Sequence, residues 1–136
     1  METNTILIIE DNTDIRENIA ELLSLSGYET LEAANGVQGS KMALEHLPNL
    51  ILCDIMMPEL DGYGVLHVLS KHKQTVQIPF IFLTAKAEKA DVRKGMTLGA
   101  DDYITKPYEQ TDLLQAVGNR LKKANNFYVP TNAGNF

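Results

Sequence analysis

The chain has 136 residues, 44% of them hydrophobic and 22% charged, which suits one globular domain with a real core and leaves no room for two. Twelve basic against eighteen acidic side chains give a formal charge of -6, the wrong sign for a sequence-independent grip on phosphates, so direct nucleic acid binding is not expected. No stretch is apolar for long enough to span a bilayer or serve as a secretory signal, so no membrane association is expected and the expected location is cytoplasmic.

Short apolar runs alternate with helical segments roughly every 20 to 30 residues, the rhythm of βα units. The first strand is Ile6 to Ile9, followed at once by Glu10 and Asp11. Ile15, Ile19, Leu22 and Leu23 then keep helical spacing, with Thr13 placed to cap the helix, Asp14 in its first turn and Gly27 suited to the left-handed turn that ends it. Thr30 to Ala33 is a weaker strand that fits an edge, and Val37 and Leu44 mark a narrow helical stripe before Pro48. The third strand, Leu50 to Cys53, runs into Asp54, and Val65, Leu66 and Leu69 define a helix after Asp61-Gly62. Phe80 to Leu83 leads to Thr84. The segment from Ala87 to Leu98 has few apolar anchors, mainly Val92, Met96 and Leu98, so its helix is expected to be the least firmly docked. Tyr103 and Ile104 form a second edge strand ahead of Lys106-Pro107, and Leu113, Leu114, Val117 and Leu121 mark a last helix ending near Lys122-Lys123. Residues 1–125 are expected to be one domain and 126–136 a tail without an effector domain.

Continuous hydrophobicity in the first, third and fourth runs marks strands covered on both faces. The expected fold is α/β, a doubly wound five-stranded parallel sheet. In such a sheet ligands collect beyond the carboxyl ends of the strands where the strand order reverses. With the order 2-1-3-4-5, the first and third strands flank that point and Glu10 and Asp11 face Asp54 across it. Three carboxylates in a partly desolvated crevice repel one another unless a cation compensates, and hard oxygen ligands suit Mg2+. Thr84 adds a hydroxyl donor and Lys106 a point positive charge. Phosphoryl transfer needs this positioning and charge compensation. Asp54 is the natural nucleophile: its carboxylate can attack phosphorus to give an acyl phosphate while Mg2+ and Lys106 neutralise the phosphoryl oxygens.

The motifs are Ile-Ile-Glu-Asp-Asn at 8 to 12, Cys-Asp-Ile-Met-Met-Pro-Glu-Leu-Asp-Gly at 53 to 62, Leu-Thr-Ala at 83 to 85, and Leu-Gly-Ala-Asp-Asp-Tyr-Ile-Thr-Lys-Pro at 98 to 107. In that order they resemble the response-regulator receiver domain of two-component phosphorelay signalling, from about Ile6 to Lys123. The resemblance implies a flavodoxin-like (βα)5 fold and a signalling switch that catalyses only its own phosphorylation and dephosphorylation. It implies that Asp54 accepts a phosphoryl group from a histidine kinase or histidine phosphotransfer protein. Asp11, Asp54 and the backbone carbonyl of Met56 would bind Mg2+, with Glu10 acting mainly through water. It further implies a cis peptide before Pro107 and a switch in which Thr84 moves toward the phosphoryl group while Tyr103 turns inward. The surface of the fourth helix, fifth strand and fifth helix would then bind a downstream protein or a second copy. Met56 and Lys86 stand where similar receivers tune phosphate lifetime. One departure is Glu10, since the commoner acidic pair in the family is Asp-Asp.

A metal-dependent phosphohydrolase would also use a strand-end Asp, a Thr and a Lys, but such enzymes typically carry a second Asp two residues after the nucleophile, where this chain has Met56. A phosphorylation-independent interaction module sits poorly with the intact acid, Thr and Lys set, and a flavodoxin-like redox protein with the lack of a hydroxyl-rich loop after the first strand. Cys53 neighbours Asp54 on a strand and is expected on the opposite face as a core residue. His46, His67 and His72 lack metal-ligand spacing and are expected to be exposed. Asp101 and Asp102 are expected to shape the turn into the fifth strand.

Overall fold

The computed structural model describes residues 3–85 and 89–127, with 89–91 and 125–127 by backbone alone. Five strands, β1 (Thr5–Ile9), β2 (Glu29–Ala33), β3 (Leu50–Asp54), β4 (Phe80–Thr84) and β5 (Asp102–Thr105), alternate with five helices, α1 (Thr13–Leu25), α2 (Gly36–His46), α3 (Gly62–Ser70), α4 (Lys89–Leu98) and α5 (Gln110–Phe127). All strand pairs are parallel and the order is β2-β1-β3-β4-β5, the doubly wound sheet expected.

The unbroken apolar runs conceal a strict alternation, because successive side chains leave opposite faces of a strand. Ile6, Ile8, Leu50, Leu52, Ile81 and Leu83 pack with Ile19 and Leu23 of α1 and with Leu113, Val117 and Leu121 of α5. Leu7, Ile9, Ile51, Cys53, Phe80 and Phe82 pack on the other side with Ala43 of α2 and with Val65, Leu66 and Leu69 of α3. Each fully buried Leu or Ile contributes about 2 kcal/mol relative to exposure, so the two cores clamp the sheet between its helical layers. Among the described residues no helix is long and apolar enough to cross a membrane.

Helix ends show where local rules and tertiary packing part. Asn12, not Thr13, is the N-cap of α1: its side-chain oxygen accepts from the Ile15 amide at 3.0 Å, and Thr13 becomes the first helical residue. Gly27 follows the helix at φ 96°, the left-handed conformation that its sequence position suggested. In α2 only Leu44 of the expected stripe packs against the core, and it is partly buried. Val37 is 55% exposed, and the buried face is Gly36, Gly39, Ser40 and Ala43. A methyl on Gly39 would come within 2.5 Å of Ile9 Cδ1, so α2 approaches β1 too closely for large side chains. The last helix runs to Phe127, past the basic pair where its end was expected, since nothing before Pro130 interrupts it. Residues 128–136 of the expected tail, residues 87 and 88 at the expected start of the fourth helix, and Lys86 lie outside the described residues.

Candidate functional site

The topology delivers the four chemical positions to one edge. Glu10 follows β1, Asp54 ends β3, Thr84 ends β4 and Lys106 follows β5. The register puts Thr84 opposite Thr105, and the Lys106 amide donates to the Thr84 carbonyl at 2.7 Å, so the last two strands stay paired into the site. The peptide before Pro107 is cis.

Carboxylate oxygens of Glu10, Asp11 and Asp54 lie within 4.8 Å of one another. Glu10 and Asp54 are buried, while Asp11 is exposed at the rim. Lys106 joins them from the opposite strand. Its ammonium donates to Glu10 Oε1 at 2.6 Å and stands 3.5 Å from Asp54 Oδ2. The longer arm of Glu10 thus spans two partners, since its Oε2 also accepts from the Asn12 amide at 3.2 Å.

Arg16 plays a part that the sequence did not advertise. From α1 it donates Nη1 to the Glu10 carbonyl at 2.9 Å and pairs Nε with Glu32 Oε1 at 3.3 Å, pinning the turn that carries both site acids. Its signal was faint: one arginine a helical turn beyond a capping Asn. Below the site the Gly62 amide donates to the Ile55 carbonyl at 2.9 Å, closing the loop between β3 and α3. Met56 lies in that loop with its side chain 61% exposed. Tyr103 is half-buried on β5 and its ring packs against Phe82, centroids 5.4 Å apart.

The other residues singled out from the sequence fall as follows. Cys53 is fully buried on the face opposite the α1 and α5 layer, and its thiol is pushed well above the ordinary range by that burial and then by Asp54 and Glu10. His46, His67 and His72 are exposed. Asp101 accepts from the Phe80 amide at 2.8 Å, and Asp102 Oδ2 lies 3.6 Å from Arg120 Nε, so both shape the entry to β5.

Among the described residues Asp11, Cys53, Lys106 and Tyr108 are moved upward. Asp11 rises through desolvation first and then through the neighbouring Glu10. For Lys106 burial is the largest influence and pulls downward, but Glu10 and Asp54 together outweigh it. Tyr108 rises through burial, against the opposing pull of Lys106. A raised pKa means that, within its window, the folded protein holds a proton the unfolded chain has released, so stability falls as pH rises. For Cys53, Tyr108 and Lys106 those windows open at the ordinary values of 9.0, 10.0 and 10.5. For Asp11 the window opens at 3.8, and protonation there relieves repulsion instead of undoing a pair. Metal-free protein is therefore expected to lose urea stability progressively above about pH 9, where the three upper windows open. A stability profile that stays flat through lysine titration would contradict this.

A strand-end crevice of this kind, with three acids, a hydroxyl and a lysine, defines a class, and the comparisons agree with it. The chain belongs to the response regulator receiver domain family, whose model matches residues 6–118. It is 44% identical over 114 residues to the phosphate regulon transcriptional regulatory protein PhoB of Pseudomonas aeruginosa, covering 84% of this chain and 50% of that protein. The chain thus spans about half the length of the curated relatives it matches. Among solved structures, a CheY-like response regulator receiver domain protein from Methanospirillum hungatei superposes with a TM-score of 0.85 at 30% identity, covering 92% of this chain and 98% of that one. The receiver domain of a sensor histidine kinase from Pseudomonas aeruginosa, solved with magnesium coordinated in its active-site cleft, gives 0.82 at 28% identity and covers 89% and 99%.

Proposed function

We propose that Asp54 is a phosphoacceptor and that the chain is a Mg2+-dependent signalling switch charged by a histidine kinase or histidine phosphotransfer protein. One observation carries this reading: buried Asp54 lies 3.5 Å from the Lys106 ammonium, and its carboxylate shares a 4.8 Å cluster with two other acids. Nucleophile, counter-charge and cation ligands thus meet at one crevice. The carboxylates of Glu10, Asp11 and Asp54 are hard oxygen donors that fit Mg2+; as in the family pattern, Asp11, Asp54 and the Met56 carbonyl would hold the ion, with Glu10 acting mainly through water. Bound there, the ion supplies positive charge to the phosphoryl oxygens.

The protein's own residues do the rest. An Asp54 carboxylate oxygen bonds to phosphorus as the bond from phosphorus to the donor's imidazole nitrogen breaks, and the imidazole leaves with the electron pair. Lys106 exchanges its 2.6 Å contact with Glu10 for the new phosphoryl oxygens, so Glu10 stores the counter-charge between cycles. Thr84, buried at the end of β4, donates its hydroxyl to the phosphoryl group, which shifts the Tyr103 equilibrium further toward its inward position. The surface of α4, β5 and α5 then presents the change to a downstream protein or a second copy, in the cytoplasm.

The exposed Met56 side chain is a poor director of an attacking water, so self-dephosphorylation is expected to be slow. Met56→Asn is expected to shorten the phosphate lifetime, followed by intact mass after the donor is removed; a longer lifetime would count against the role given to this position. The function itself is tested by incubation with acetyl phosphate and Mg2+. A mass gain of one phosphoryl group, prevented by a chelator, is expected. No gain would overturn the reading, and a gain that survives the chelator would remove Mg2+ from it.

A further inference from the structure

Tyr63 takes no part in the phosphate chemistry, yet the geometry around it is built. It lies in the first turn of α3, half-buried, and its ring meets Phe82 edge-on with centroids 5.3 Å apart. Phe82 in turn meets Tyr103 at 5.4 Å, and the two are register partners on β4 and β5. The ladder closes on itself, because Tyr63 Oη lies 3.3 Å from Tyr103 Oη. α4 grips the same group at two points. Lys94 Nζ stands 4.4 Å over the centre of the Tyr63 ring, and Gly95 leaves the space in which the Tyr103 ring lies. A methyl on Gly95 would fall 2.6 Å from Tyr103 Oη and 2.8 Å from its ring.

Two consequences follow from these contacts. First, Tyr103 is already half-buried against Phe82 and hydrogen-bonded to Tyr63 without any phosphoryl group, so its ring is held from α3. Second, the Tyr63 side chain links its own helix α3 to β4 through Phe82, to β5 through Tyr103 and to α4 through Lys94, the last being a helix with few apolar anchors in its sequence. A shift of α4 away from the sheet must give up the Lys94 contact over the ring and open the slot at Gly95.

We propose that Tyr63 is a positioning residue for the Tyr103 switch. Its hydroxyl holds Tyr103 inward, and its ring ties that position to α4, so Tyr63 sets how much of the unphosphorylated protein already has the output surface of the phosphorylated one. This rests on the reading of Tyr103 as the readout and adds to it the element that biases the readout at rest. A side-chain hydrogen bond has a net worth that shifts such an equilibrium about five-fold.

Tyr63→Phe keeps the ring, its contact with Phe82 and the face presented to Lys94, and removes only the hydroxyl. The test follows the Tyr103 ring by NMR of 13C-tyrosine protein, assigned with Tyr103→Phe, with a soluble paramagnetic chelate reporting exposure. Without any phosphoryl donor, Tyr63→Phe is expected to move the Tyr103 resonance and raise its broadening by the chelate, consistent with about a five-fold shift toward the outward ring. Phosphorylation by acetyl phosphate should slow by a similar factor. In a Tyr103→Phe background Tyr63→Phe should slow phosphorylation less than it does in wild type, since the contact between the two hydroxyls is already gone, whereas a merely structural role gives the same loss in both backgrounds. An unmoved Tyr103 resonance in Tyr63→Phe, or equal losses in both backgrounds, would overturn the proposal. Failure of wild type to take up phosphate would instead strike the phosphoacceptor reading, because the resonance test is made without phosphate.

Discussion

Asp54→Asn is expected to lose phosphate uptake from acetyl phosphate by at least about a thousand-fold while remaining folded. The amide has nearly the shape of the carboxylate but neither its charge nor its nucleophilic oxygen. Folding survives because the shortest ionic contact of the site, Lys106 to Glu10 at 2.6 Å, does not involve Asp54. The substitution also takes one of three acids out of a cluster whose oxygens lie within 4.8 Å, so like-charge repulsion in metal-free protein falls. A stability change within about 1 kcal/mol, in favour of the variant, is expected in thermal melts without metal. Added Mg2+ should raise the melting temperature of wild type more than that of the variant, since a ligand stabilises the folded state in proportion to its affinity. Uptake by Asp54→Asn at the wild-type rate would leave no role for Asp54 as acceptor.

Gly62→Ala is expected to be a strongly damaging single methyl beside the site. Its Cβ would lie 2.5 Å from the Asp54 carbonyl oxygen, 2.8 Å from Ile55 Cα and 3.0 Å from the Phe82 ring. Two of these neighbours are backbone and cannot swing aside. Relief requires α3 to back away, which breaks the 2.9 Å bond from the Gly62 amide to the Ile55 carbonyl and displaces the residue that carries the nucleophile. Overpacking of this kind costs about 3 kcal/mol or more. Gly118→Ala in α5 is the matched control: nothing lies within 4 Å of its Cβ, and the change should be neutral or stabilise by up to about 1 kcal/mol through helix propensity. Urea unfolding of the two variants checks both. Equal midpoints for Gly62→Ala and wild type would mean that the loop between β3 and α3 is not the rigid support described.

What could be read from the sequence was what alternation and chain order encode. The runs Ile6 to Ile9, Leu50 to Cys53 and Phe80 to Leu83 are hydrophobic on both faces, and only a covered parallel strand needs that. Once they are parallel, the residues just past their ends share an edge, which is why Glu10, Asp54, Thr84 and Lys106 could be gathered before any coordinate. The contacts among them could not. That Glu10 would hold Lys106 depends on an arm one methylene longer than the commoner acid and on where β5 ends relative to β1, with β3 and β4 between them in the sheet. The α2 face escaped because its packing uses Gly36, Gly39 and Ala43, residues that carry no hydrophobic periodicity and are chosen for closeness to β1. Arg16 and Tyr63 escaped for a related reason: each acts through contacts with residues on other elements or loops, and no spacing rule encodes such pairs.

The central claim is that the phosphoryl group resides on Asp54. The most direct test is to phosphorylate the protein with acetyl phosphate and Mg2+, trap the acyl phosphate by borohydride reduction, and map the reduced residue by peptide mass spectrometry. Reduction of Asp54 to homoserine, with Glu10 and Asp11 unmodified, is the expected result. Label on Glu10, on Asp11 or on a residue outside the strand-end crevice would contradict it.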